Sequence, residues 1–284
     1  MKKRSTKEIK LQAKKALQGH VGTVLLGLLA VYGLNMLGTI LSTNLFSGTS
    51  PLDLVLSEVF MLVVSLIVGI ISAGFGYMLL NISRGKEFSL GDLGYFFKNQ
   101  PDRVIIAGFV LAVIQIVTAI PYYYVSFTTD PGLTVDSQIK WLSMTLGLLA
   151  VSTLLNFLIS LPFAMTYFLM ADDTELGGLQ ALKESARLMK GNIWRYVKLN
   201  LSFVPLLLLS VFTFYIALFW IMPYMEMSMV AFYRDLDGEL DYRLPGNEGF
   251  GSFHNWTNDS GDGYYTENND GYRNDSEDDY NSEA

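Results

Sequence analysis

Residues 54–82 read LVLSEVFMLVVSLIVGIISAGFGYMLLNI, 29 positions in which Glu58 is the only charged side chain. A helix rises about 1.5 Å per residue, so this run is long enough for a hydrocarbon core of about 30 Å. Ser50-Pro51-Leu52-Asp53 marks its start, with a capping serine followed by proline at the first helical position. Outward from it, Val21–Phe46, Val104–Val125 and Trp141–Met170 are runs of the same kind. A fifth run, Leu199–Phe232, exceeds one span and is interrupted by Pro205 and Pro223. The pattern predicts an all-α polytopic membrane protein.

Composition agrees. Of 284 residues, 51% are hydrophobic and 17% charged, where soluble domains have about 25% charged. An ordinary soluble enzyme and a nucleic-acid binder are excluded. The absence of cysteine removes disulfides, thiolate metal sites and a Cys nucleophile. With only His20 and His254, no metal or cofactor is expected. Neither a phosphate-cradling Gly-Lys-Ser/Thr loop nor a His-Glu-x-x-His motif is present. The chain reads as a non-enzyme.

Charge is sorted along the chain. Residues 1–20 carry seven basic groups against Glu8, and residues 235–284 carry 14 acids against Arg243 and Arg273. The part between is close to neutral. Lys and Arg in short loops orient a polytopic protein. Arg84, Lys86, Lys98 and Arg103 follow the second run, and Lys183, Arg187, Lys190, Arg195 and Lys198 follow the fourth. The two opposite loops hold only Lys140. The N-terminus and both long loops are expected in the cytoplasm.

Three basic segments precede membrane runs. Ser5-Thr6-Lys7-Glu8 has capping-box spacing, Ile9, Ala13, Ala16 and Leu17 share a helical face, and Gly19 closes the helix over residues 5–19. A second helix is expected from Ser89 to about Asn99, carrying Leu93, Phe96 and Phe97. A third is expected from about Thr174, carrying Leu179, Leu182, Ala186 and Met189, with Gly191 closing it. Such helices anchor to anionic lipid headgroups; a substrate-binding role is the alternative.

Each segment leads into a span through a polar joint: Gly19-His20, Asn99-Gln100 and Gly191-Asn192. The arrangement reads as a divergent repeat of amphipathic helix, span, outer turn and span. By that reading 199–234 is also a hairpin, turning near Thr213–Tyr215. Six spans result, over about 21–46, 54–82, 104–125, 141–170, 196–213 and 215–234, in three hairpins. The membrane domain is then 1–236, with a cytoplasmic C-terminus; five spans is the rival. Two spans in so short a stretch call for Trp194, Trp220 and Tyr233 at the interfaces.

Ionisable groups inside a membrane mark functional candidates. Glu58 lies early in its span and reads as an interfacial acid. Glu226 follows Pro223-Tyr224, with Arg234 two turns on, and a helix broken there could line a polar cavity. Otherwise it is solvated near the cytoplasmic face or paired with a basic segment. Asn35, Asn81, Gln115 and Asn156 are expected to bond between helices, Gly27, Gly69, Ala73 and Gly76 to permit close approach, and Pro121 and Pro162 to kink or end spans.

The stretch Ala181-Leu182-Lys183-Glu184-Ser185-Ala186-Arg187-Leu188-Met189-Lys190-Gly191-Asn192 is distinctive. Trp194-Arg195, Leu201-Ser202-Phe203, Trp220, Pro223-Tyr224 and Ala231-Phe232-Tyr233-Arg234-Asp235-Leu236 extend it. Together with Ala13–Gly19, it resembles an uncharacterised bacterial membrane family, the domain of unknown function 975, over about residues 5–236. The resemblance implies a multi-pass plasma-membrane protein and supplies no catalytic residue. Arg187, Lys190, Asn192, Trp194, Arg195 and Arg234 join Glu226 as candidate functional residues.

Residues 237–284 are rich in Asn, Asp, Gly, Ser and Tyr and read as an acidic disordered tail. Thr266-x-Asn268-x-Asp270-Gly271 with Glu277 has calcium-loop spacing without flanking helices. Asn255-Trp256-Thr257 and Asn258-Asp259-Ser260 match glycosylation sequons, relevant only on a secreted face. The expected partners are the bilayer, anionic lipids at its cytoplasmic face, and a protein partner for the tail. The leading expectation is a membrane factor organising or modulating proteins or lipids; a transporter or transport subunit is the rival.

Overall fold

The computed structural model describes residues 3–48 and 50–242, and among these no strand occurs. Helix α1 (Thr6–Leu17) precedes α2 (Val21–Leu45) and α3 (Pro51–Arg84). A 3-10 helix over Leu90–Gly94 and the single turn α4 (Tyr95–Lys98) precede α5 (Pro101–Thr128), α6 (Val135–Ser160) and α7 (Thr166–Asp172). Then α8 (Gly178–Met189) leads to α9 (Ile193–Leu201), α10 (Val204–Phe212), α11 (Leu218–Leu236) and α12 (Glu239–Tyr242). Five stretches are long and apolar enough to cross a membrane: Val21–Leu45, Leu52–Arg84, Pro101–Ser126, Val135–Asp172 and Ile193–Phe212. The protein has an all-α, polytopic membrane fold. The tail from residue 243, with its calcium-loop spacing and sequons, lies outside the described residues.

Local chemistry explains the helix ends. The Ser5–Glu8 and Ser89–Asp92 capping boxes both form, and Ser50 caps α3 with Pro51 at its start. The second basic segment is nevertheless a 3-10 turn plus one α turn, not a continuous amphipathic helix. The third starts at Gly178 rather than near Thr174. Asp173 accepts the Glu175 N–H (2.8 Å), and Arg103 takes the carbonyls of Asp173 and Leu176, which holds that stretch in a turn. The joints share one conformation: Gly19 (φ 82°), Gln100 (φ 52°) and Gly191 (φ 76°) are all left-handed.

Pro121 leaves α5 continuous. Pro162 lies in a 3-10 turn that separates α6 from α7. There Ser185 of α8 accepts the Met165 N–H (3.1 Å) and donates to the Pro162 carbonyl (2.8 Å). Pro205 is in the first turn of α10, where its missing N–H has no helical partner anyway. Pro223 does not break α11, which runs unbroken through it. The broken helix expected beside Glu226 is therefore absent.

The amphipathic helices pack inward on the bundle. Helix α1 lies on α11, the 3-10 turn with α4 on α3, and α8 on α5, α7 and the 3-10 turn before α7. Ile9, Ala13 and Leu17 are buried by this, so the apolar stripe of α1 is occupied by protein rather than left for lipid. Burying Ile9 and Leu17 stabilises the docked helix by about 2 kcal/mol each. Two glycines allow the approach: a Cβ at Gly74 would overlap the carbonyl oxygens of Asp92 and Leu93, and one at Gly178 that of Arg103. Gly27 likewise admits Phe75 between α2 and α3.

The core gathers at the end of the bundle that carries these short helices. It includes Val24 and Leu28, Ile70–Ile82, Met165–Ala171 and Met227–Leu236. The other halves of α2, α3 and α6 expose Leu, Ile, Val and Met along much of their length, as expected of helices facing acyl chains. Asn156 bonds across to Thr118 on α5 (3.3 Å), whereas Asn35 turns back to the Val31 carbonyl of its own helix.

Candidate functional site

The last apolar residues of α3, α7 and α11 are followed by charged ones, and folding brings these together. Arg84 makes two parallel bonds to Asp172 (2.7 and 2.8 Å) and reaches Glu239 (2.9 Å). Arg234 donates to the other Glu239 oxygen (2.8 Å) and to the Ser83 carbonyl (2.7 Å) and hydroxyl (2.6 Å). Tyr233 donates to Asp172 (3.0 Å), and its ring stacks on Phe168. Nearby, Asp235 binds both Arg4 and Arg195, whose guanidinium also takes the Arg4 carbonyl and Asn192 Oδ1. Arg4 continues to Asp241 (3.0 Å) and the Leu240 carbonyl (2.7 Å). The side chains of Arg84, Arg234 and Glu239 are each only 6% exposed, and that of Asp235 1%.

This network ties residue 4 to residue 241. Because Arg195, at the start of α9, pairs with Asp235, near the end of α11, the chain between them leaves and returns to the same end of the bundle. Phe214 and Tyr215, both at positive φ and exposed, lie at the reversal. The folded unit also runs past residue 236, where the tail was expected to begin. Glu239 is buried, and α12 holds Arg4.

Two acids near the end of this network are perturbed in opposite directions. Burial alone would raise Glu239, but bonds from Arg84 and Arg234 outweigh it and hold its carboxyl below the ordinary value. Asp237 is pushed up from 3.8 to about 6 by burial and by the charges of Asp172 and Glu239, against the opposing pull of Arg84.

The candidate residues separate into three groups. Arg195, Asn192 and Arg234 belong to the network. Arg187, Lys190 and Trp194 are on the outer surface: Arg187 pairs with Glu184 of its own helix (3.3 Å), and the Lys198 ammonium is 5.6 Å from the Trp194 ring. Glu226 stands apart, midway along α11 and partly buried, close enough to Tyr32 and Tyr196 to act on them electrostatically. It makes no hydrogen bond or ion pair among the described residues, with a basic segment or otherwise. Lys10 binds the Ser202 carbonyl (3.0 Å) over the Phe203 ring. Glu58 accepts the Tyr123 hydroxyl (2.8 Å). Tyr233 is fully buried, whereas Trp194 and Trp220 are exposed.

Arg4, Arg84, Asp172, Asp235, Glu239 and Asp241 were missed as candidates. Their signal was positional, since Arg84, Asp172 and Arg234-Asp235 each terminate an apolar run. Among the described residues no group of three His, Asp or Glu side chains could hold a metal ion, and His20 packs edge-on against Phe88.

The helices and the buried charge cluster define a polytopic α-helical membrane protein closed at one end by ion pairs. The family described as Protein of unknown function (DUF975) matches residues 1–239, and the chain belongs to it. The matched region ends at Glu239, the residue that joins Arg84 to Arg234. No curated protein and no solved structure matches the chain.

Proposed function

We propose that this chain is a non-enzymatic factor of the plasma membrane that organises or modulates lipids or partner proteins through a basic cytoplasmic face. The supporting observation is the division of labour among its cations. Arg4, Arg84, Arg195 and Arg234 are consumed inside the fold, whereas Lys7, Lys14, Lys15, Lys98, Lys183, Arg187, Lys190 and Lys198 remain exposed on or beside the docked short helices. Docking fixes those cations on a rigid surface. Each Lys or Arg near an anionic leaflet contributes about 1 kcal/mol. In this reading the chain crosses six times, α11 being the sixth span, and both termini are cytoplasmic. The acidic tail is free to recruit a basic partner.

The test is lipid enrichment around the full chain in nanodiscs of mixed phosphatidylcholine and phosphatidylglycerol. Wild type should concentrate phosphatidylglycerol, and a Lys14→Glu, Lys15→Glu, Lys183→Glu variant should not. Equal enrichment in both would sink the proposal.

A transporter or transport subunit is the second reading, favoured by Glu226 alone: a partly buried carboxyl midway along α11 with no hydrogen bond or ion pair among the described residues. Glu226→Gln should then abolish solute flux or the associated sensitivity phenotype, and an unchanged phenotype counts against it.

A further inference from the structure

A second polar feature lies in the membrane, away from the charge network. Between α3, α5, α6 and α7 is a cavity of about 220 Å³, lined by Ser65, Gly108, Gln115, Asn156, Ser160 and Tyr167 with neighbouring apolar side chains. Gln115 is the fifteenth of the 28 residues of α5, about 21 Å from its start, within the stretch long and apolar enough to cross a membrane. Ser65 and Gln115 are exposed on its outer side. The lining contains no charged residue.

The hydrogen-bond inventory of this cavity is incomplete. Ser65 and Ser160 donate to carbonyls of their own helices, and Asn156 gives one N–H to Thr118. The Gln115 amide and the Tyr167 hydroxyl bond to nothing among the described residues. Gly69 and Gly108 leave the space into which the Tyr167 hydroxyl projects. In hydrocarbon an unsatisfied amide is costly, because no water is there to bond it. A partner must come laterally, from the bilayer. It must be uncharged, since nothing in the lining would compensate a charge, and it must both donate and accept.

We propose that this cavity binds the head of a neutral hydroxyl-bearing lipid of the diacylglycerol class. The glycerol hydroxyl donates to Gln115 Oε1 or Asn156 Oδ1, an ester carbonyl accepts from Tyr167 or the Gln115 N–H, and the acyl chains lie along the exposed apolar faces of α3 and α5. The small concave shape favours a lipid head over a packed helix. The site is independent of the anionic face proposed above, so its test uses purely zwitterionic membranes.

The full chain is reconstituted in phosphatidylcholine nanodiscs containing dioleoylglycerol, and retained lipid is counted by native mass spectrometry. Wild type should hold one diacylglycerol per chain. A Gln115→Leu, Asn156→Leu variant should retain about tenfold less, as expected for lost hydrogen bonds. Tyr167→Phe, which removes one oxygen, serves should the double variant fail to fold; it should also weaken retention. Equal retention in wild type and variants overturns the proposal, as does retention in neither. A dimer present in wild type and lost in the variants also overturns it, assigning the cavity to a second copy of the chain.

Discussion

Replacing Arg84 by Met tests whether the buried charge cluster holds the bundle together. Arg84 is 6% exposed at its side chain and serves two carboxylates. Met keeps most of its length and apolar stem while removing every bond to Asp172 and Glu239. Removing one partner of a buried ion pair costs about 3–5 kcal/mol, mostly through the charge left behind. Here the two carboxylates left behind are not wholly stranded. Glu239 keeps Arg234, and Asp172 keeps the Tyr233 hydroxyl with its side chain 21% exposed. The expected loss is therefore at the low end, about 3 kcal/mol. For a unit of this size, a change of 1 kcal/mol shifts the melting temperature by about 2–4 °C, so a fall of about 6–12 °C is expected. Thermal unfolding of the purified full chain in one detergent, followed by tryptophan fluorescence, measures it. The control is Arg187→Met, whose pair with Glu184 is at the surface, 57% exposed on the arginine side; such pairs contribute at most about 0.5 kcal/mol. An Arg84→Met melting temperature equal to wild type, or an Arg187→Met fall as large, would refute the reasoning.

Asp237 provides a pH test. Its folded value, about 6, is above the 3.8 of the free group, so the fold binds this proton more tightly than the unfolded chain. Stability from this group is full below about pH 4 and is lost as pH rises through about 6. Asp237→Asn should accordingly raise the melting temperature at neutral pH and leave it unchanged near pH 4; a gain of equal size at both would contradict the assignment. Glu239 has the opposite sign, contributing above its unfolded value and losing that contribution as acid protonates it. Gly74→Val would drive its side chain into the backbone of the 3-10 turn. It should cost about 2–3 kcal/mol and raise hydrogen exchange over residues 89–98; unchanged exchange would mean the turn is not docked there. Ser185→Ala would leave the Met165 N–H unsatisfied inside the protein, costing about 1–3 kcal/mol, read as a lower melting temperature with helix content retained.

The sequence by itself determined the class of fold and much of its local structure. Apolar runs specify spans through length alone, capping boxes specify where α1 and the 3-10 turn begin, and the glycines of two joints specify left-handed closure. Those signals are local, since each depends on neighbours within a few residues. The third joint shows the limit, because Gln100 adopts the same conformation with no glycine to announce it. The start of α8 was misread for a similar reason. The side chain that holds the preceding turn is Arg103, some seventy residues earlier.

The tertiary structure alone decided which charges are structural and which are free. In sequence, Arg195 and Lys198 are alike, as are Arg4 and Lys7. Folding sends Arg195 and Arg4 to one aspartate and leaves both lysines in solvent. Burial chooses between them, since a charge taken out of water needs an opposite charge at hydrogen-bond distance. Which acid stands there depends on how spans far apart in the chain end at one level. The same holds for the docked faces. A helical moment shows that α1 has an apolar side, but only packing shows that α11, and not lipid, covers it.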